Sequence, residues 1–356
     1  MSESARRPAK DLQKETLPTM RNKPNLDLLR SFAIALVLLD HICLAKKVTL
    51  VGHWMPTWIG VIGVYFFFVH TCLVLMWSLE RKPHTLDFYI RRAFRLYPLV
   101  AVVVFAVFLL RPPLHIGDFP FVPGDLHLSA GFANLLLVQN IASRPSVSGV
   151  LWSLPLEVDM YLLLPLLFFF VRRNFSLWPL LLIWGMMMGN ARSLHINGNC
   201  FVTVIPCFLP GVMAYVLYRR TRPRLPAWLF PVFLLALCVG FMQHPSVPAS
   251  WPMCLALGLA LPFFRQIQFA PLIRATHEIA KYSYGVYLSH SFAITLGIYL
   301  LPHANLLIQL AVIFASTAIL SIAAYHLVEK PMIDLGARVA ARAETGYEQK
   351  HLSAYV

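Results

Sequence analysis

Charge is scarce in this chain. Asp, Glu, Lys and Arg make up 13% of its 356 residues, about half the share with which a soluble domain covers itself. Acidic residues are the scarcer sign, 16 against 30 Lys and Arg. The six cysteines, Cys43, Cys72, Cys200, Cys207, Cys238 and Cys254, show no CxxC spacing and lie in or beside apolar runs. They read as small buried hydrophobes, with no disulfide framework and no metal site. A Walker loop, a dinucleotide fingerprint, a zinc-protease HExxH and an internal repeat are also missing. The first 24 residues are polar and basic, without the short apolar core and cleavage site of a signal peptide directly behind them. They are expected to form a cytoplasmic tail ahead of an uncleaved first span.

What the chain has in abundance is apolar sequence: 58% hydrophobic residues and a mean hydropathy of +0.65. The apolar residues fall into ten runs, roughly 26–44, 58–79, 96–111, 152–171, 177–190, 200–218, 226–243, 250–264, 281–300 and 305–326. Runs of near-spanning length define an all-α polytopic membrane protein, although the fifth and eighth are short for a ~30 Å hydrocarbon core. With the N-terminus inside, ten spans return the C-terminus inside, and 25 of the 30 Lys and Arg then fall on the cytoplasmic side. That bias is the positive-inside pattern. The net charge of +14 sits in short clusters between the runs, which suits loops against anionic membrane lipid and argues against nucleic acid. Three segments follow: a tail over 1–24, a transmembrane domain over 25–333 and a second cytoplasmic tail over 334–356. The loop 112–151 holds a less polar piece, Leu126–Val138, expected to be an interfacial or re-entrant element. Residues 80–95 are expected to form a basic amphipathic helix leading into the third span.

Several polar groups lie where a bilayer disfavours them. In the first span Arg30 and His41 are eleven residues apart, about three turns and ~16 Å along one helical face. One reading makes them a cation and an acid/base group lining a site. The other has Arg30 snorkelling to the headgroups and His41 in polar packing. Arg92 and Arg95, with Arg91 beside them, form a fork suited to phosphate oxygens, or simply a topology signal. Glu157 and Tyr161 share a face of the fourth span, and Asp159 lies off it. In YSYGVYLSH, Ser289 and His290 serve either a site or a helix–helix contact, and Tyr284 and Tyr287 can hydrogen-bond inward. Glu329, in Glu-Lys-Pro, is placed to neutralise Arg30, and Pro331 to stop the last span. His70 is a weaker candidate. Cations at one membrane face and acid/base groups deeper in would hold an anionic donor and deliver its reactive end to a base, or would serve an exporter of a small anionic or lipid-linked substrate.

The ordered set of motifs resembles the acyltransferase-3 family of integral membrane O-acyltransferases. LDLLRSFAIALVLLDH matches its basic residue, ten intervening positions and histidine (Arg30, His41). FYIRRAFRLYP carries its Arg-x-x-Arg (Arg92, Arg95) and LWSLPLEVDMYLLLP its WSL-x-x-E-x-x-x-Y. YSYGVYLSH and HLVEKP match the late segments, so the resemblance covers about residues 24–333.

The resemblance implies transfer of an acyl group, commonly acetyl, from acetyl-CoA or another acyl-CoA to a hydroxyl of a surface polysaccharide, glycolipid or related glycoside. It implies no metal, and a place in a bacterial inner membrane. Some members carry an added extracytoplasmic esterase-like domain; this chain is expected to be the stand-alone transmembrane form. Arg91, Arg92 and Arg95 would meet the phosphates of CoA, and His41 would act as general base with Glu157 as orienting or proton-accepting partner. Ser289, Tyr161, Arg30 or His290 would donate to the oxyanion. Transfer directly to the acceptor and transfer through an acyl-histidine both remain open.

Overall fold

The structure, a computed structural model, describes residues 23–48, 57–111, 115–116, 119–120, 126–173, 176–193 and 201–353. Of the tail assigned to residues 1–24, all but Lys23 and Pro24 lies outside these, as does Cys200.

The described chain is built of helices. In order they are α1 (Pro24–Ala45), α2 (Thr57–Arg81), α3 (Thr85–Leu110), α4 (Leu128–Leu135), α5 (Leu154–Val171), α6 (Leu177–Ser193), α7 (Phe201–Tyr218), α8 (Leu229–Gln243), α9 (Val247–Ala260), α10 (Ala270–Ile294), α11 (Leu306–Ala324) and α12 (Lys330–Ser353). The extended structure among the described residues is a two-residue antiparallel pair, His115–Ile116 with Phe119–Pro120, and an isolated bridge between Leu225 and Phe264. Helices are what apolar runs must form in lipid, because each satisfies its own backbone.

Among the described residues, six helical stretches are long and apolar enough to cross a membrane: Pro24–Ala45, Trp58–Arg81, Thr85–Leu110, Gly149–Val171, Phe201–Tyr218 and Leu306–Glu344. Leu177–Gly189, Leu229–Gln243 and Val247–Phe263 are apolar but shorter. α10 has the length, 25 residues, but carries Arg274, His277, Glu278, Lys281 and His290. These helices occupy the ten apolar stretches of the sequence.

Close helix approaches fix the centre. A Cβ on Gly63 of α2 would strike the Ala33 carbonyl of α1, and one on Gly211 of α7 would strike the Val69 carbonyl of α2. α1 and α10 run side by side in the same direction, as the ascending order of their contacts shows. Asn25 donates to the Arg265 carbonyl at 3.0 Å, Ser31 to the Thr276 carbonyl at 2.8 Å, and His41 lies against His290.

Two expectations change. Pro331 does not stop the last helix. A π turn, Tyr325–Glu329, follows α11 and passes directly into α12. The wider turn accommodates a proline ring that would clash with the fourth preceding carbonyl of a regular helix. The tail after Asp334 therefore continues a long helix, and Gly336 packs against Phe94 of α3. The basic amphipathic segment of 80–95 is likewise no separate helix: α3 runs unbroken from Thr85 through Pro98 to Leu110. In the 112–151 loop the less polar piece forms the short helix α4.

Candidate active site

A pocket of about 780 Å³, counting the open space at its mouth, lies among α1, α2, α3, α5 and α10. Its polar lining comprises Arg30, His70, Thr71, Arg92, Arg95, Ser153, Glu157, Tyr161, Ser283, Tyr284 and Tyr287, and its apolar wall includes Phe67, Phe68 and Leu154.

Local sequence explains each placement. Arg92 and Arg95 stand three apart on α3, so both reach one side of the helix. Glu157 and Tyr161 stand four apart on α5, and the Tyr161 hydroxyl donates to the Glu157 carboxylate in a short hydrogen bond. Arg30 Nε donates to Ser283 Oγ at 2.5 Å, and Ser283 Oγ–H donates onward to the Ala280 carbonyl at 2.8 Å. Tyr284 donates to the Leu96 carbonyl at 2.9 Å and lies beneath the Arg95 guanidinium, 5.3 Å from ring centroid to Cζ.

Glu329 does not pair with Arg30, as the sequence led us to expect. Its Oε2 accepts from Arg95 Nη1 at 2.6 Å. The π turn carries Glu329 to α3, and Arg30 bonds to α10 instead. Three half-buried arginines thus line one pocket with one carboxylate, Glu157, and a second carboxylate, Glu329, backs Arg95. The surplus positive charge suits an anion. Arg92 Nε is buried and has no hydrogen-bond partner among the described residues, and buried donors normally have one.

Arg91 is turned away from this pocket. Its Nε pairs with Asp87, one turn back on α3, at 2.7 Å. Asp159 accepts from Asn140 at 2.8 Å. Asp40, next to His41 in sequence, faces α2, where its carboxylate abuts Gly60.

The histidines form a second cluster. His41 Nδ1 lies 2.6 Å from His290 Nε2, with the rings stacked at 4.8 Å and 12°. Neither ring lines the pocket. His290 Nδ1 lies 3.0 Å from the Val286 carbonyl. A carbonyl only accepts, so His290 carries its proton on Nδ1 and accepts at Nε2. His41 must therefore donate from Nδ1, which puts its basic lone pair on Nε2. His290 is a tautomer-setting partner here. Ser289 points about a third of a turn away from the face that His290 shares with Ser283 and Tyr287, and its buried Oγ finds no hydrogen-bond partner among the described residues.

Sequence reasoning passed over Ser153, Ser283 and Thr71, and ranked His70 low. Ser283 was within reach, because 283, 287 and 290 share one helical face. Thr71 carries no such signal. Among the described residues no cluster of His, Cys, Asp and Glu is arranged to hold a metal ion.

A buried pocket rich in guanidinium, joined by two parallel helices to a tautomer-locked imidazole, has the parts of a membrane-embedded transferase. Residues 23–326 match the acyltransferase domain that defines the acyltransferase-3 family, so the chain belongs to that family and is a membrane acyltransferase. A putative acetyltransferase, ORF330, of Acidianus two-tailed virus is 24% identical over 325 residues, covering 85% of this chain and 92% of the viral protein. The acyltransferase MdmB of Streptomyces mycarofaciens is 27% identical over 248 residues, covering 64% of this chain and 58% of MdmB. No solved structure matches the chain.

Proposed function

We propose that the chain moves an acyl group, acetyl first, from acyl-CoA to a hydroxyl of a sugar in a surface polysaccharide, glycolipid or related glycoside. In this reading it crosses a bacterial inner membrane ten times with both termini cytoplasmic. The carrying observation is the pairing, along α1 and α10, of an arginine-rich pocket with a histidine whose basic nitrogen is fixed at Nε2.

Arg92 and Arg95 hold the phosphates of the donor, since guanidinium forks match phosphate oxygens. Arg30 adds charge deeper in. Arg91, paired with Asp87 and outside the pocket lining, acts on the donor only through its charge. His41 Nε2 takes the proton of the acceptor hydroxyl as its oxygen bonds to the thioester carbonyl carbon. The tetrahedral oxyanion takes its hydrogen bonds from donors beside the histidine pair, about three turns along α1 from Arg30. Collapse breaks the C–S bond, and the departing thiolate takes the proton from the His41 imidazolium, leaving an ester and CoA thiol. His290 steadies the imidazolium through Nδ1–H, and Glu157 orients Tyr161.

The test is release of CoA thiol from acetyl-CoA by purified, reconstituted protein presented with a panel of sugar glycosides, with acetylated product identified by mass. Acceptor-dependent release that falls by about 10²–10⁴-fold in His41→Ala supports the general base. Undiminished turnover in that variant refutes it. Passage of an intact substrate across the vesicle without thioester cleavage would instead favour an exporter.

A further inference from the structure

We propose that Tyr287 is the gate between the arginine pocket and the histidine pair, and that its latch to the head of α5 limits the size of acyl group that reaches His41. This rests on reading the pocket as the donor site. The pocket stops short of both histidines, but Tyr287 belongs to both regions. It lines the pocket, and its ring lies 6.3 Å from that of His290, tilted by 49°. On α10, Ser283, Tyr287 and His290 follow at i, i+4 and i+7, so Tyr287 stands between the pocket floor and the imidazole on one face.

Two hydrogen bonds fix the ring there. The Tyr287 hydroxyl donates to the Val150 carbonyl at 2.7 Å and accepts from Ser153 Oγ–H at 2.7 Å. Both partners lie in the single 3₁₀ turn, Gly149–Ser153, that leads into α5. The phenol therefore bridges from α10 to α5 and closes the end of the pocket. A thioester coming from Arg92 and Arg95 meets the ring before the imidazole. A short acyl group needs little displacement. A longer chain needs the ring to leave both bonds, to the Val150 carbonyl and to Ser153.

The experiment uses the full chain as wild type, Tyr287→Phe, Tyr287→Ala and Ser153→Ala. Turnover is compared for acetyl-, butyryl- and hexanoyl-CoA. Separately, diethyl pyrocarbonate modification of His290, which is fully buried, is followed by mass spectrometry in the absence of donor. The gate predicts that the acetyl-to-hexanoyl ratio of kcat/KM falls about tenfold or more in Tyr287→Ala, and less in Tyr287→Phe and Ser153→Ala. It also predicts faster histidine modification in all three variants. The two conservative variants keep the test decisive if Tyr287→Ala does not fold. If wild type cleaves no acyl-CoA, the donor reading fails and histidine modification alone decides the gate. Unchanged modification rates with an unchanged acyl preference overturn it.

Discussion

Arg95 and Glu329 close the helical bundle on itself. The guanidinium Nη1 of Arg95, on the third helix, lies 2.6 Å from a Glu329 carboxylate whose side chain is 0% exposed. The pair is 234 residues apart in sequence and joins α3 to the π turn before α12. Removing one partner of a buried pair leaves the other desolvated and uncompensated, at roughly 3–5 kcal/mol.

Glu329→Ala is accordingly expected to lower thermal stability in detergent markedly, and Glu329→Gln to lower it less because the amide oxygen still accepts. The double variant Arg95→Met with Glu329→Leu is expected to recover much of the loss, since neither charge of the pair is then left without its partner. Thermal unfolding followed by tryptophan fluorescence checks the order. Equal loss in all three variants contradicts it.

His290→Phe keeps a ring against His41 but removes the Nε2 acceptor that holds the His41 proton on Nδ1. Turnover is expected to fall by about ten- to a hundredfold with the KM for acetyl-CoA little changed, because the lost partner orients the base without binding the donor. A change confined to KM would contradict the tautomer-setting role.

Arg92→Lys replaces a planar fork by a point charge. The KM for acetyl-CoA is expected to rise by about ten- to a hundredfold, from hydrogen bonds to a charged group worth roughly 1.5–3 kcal/mol. Arg91→Lys, at a residue already engaged by Asp87, is expected to change KM little. Equal effects of the two substitutions would argue that the whole basic cluster acts only as a diffuse charge.

Gly211→Ala and Gly240→Ala are chemically the same change in two helix interiors. At Gly211 the new methyl strikes the Val69 carbonyl and Cys72, so α2 and α7 must separate and the melting temperature falls. At Gly240 nothing lies within 4 Å. There the better helix propensity of alanine, about 1 kcal/mol, leaves stability unchanged or raised. A drop at Gly240 would show that its face is covered by another chain or by tightly held lipid.

The sequence by itself determined the helical class, the places of the apolar stretches and which polar residues lie at awkward depth. Those are local properties: the length of a run, the spacing that puts Glu157 beside Tyr161 or Arg92 beside Arg95, and the difficulty of leaving backbone unsatisfied in lipid. The motif order also carried the family. Partnerships were another matter. Glu329 was matched to Arg30 by depth alone, but depth does not say which helix is the neighbour, and the π turn delivers it to Arg95. Ser289 and His290 are adjacent in sequence, yet a helix turns ~100° per residue and only His290 meets His41. Arg91 shares a helical face with Arg95, yet the carboxylate of Asp87, one turn back, draws its side chain away from the pocket. Tertiary structure alone decided that α1 and α10 run parallel in contact. That packing turned a histidine eleven residues beyond an arginine into an imidazole of fixed tautomer beside an arginine pocket, because hydrogen-bond direction depends on the partner and the partner comes from 249 residues away.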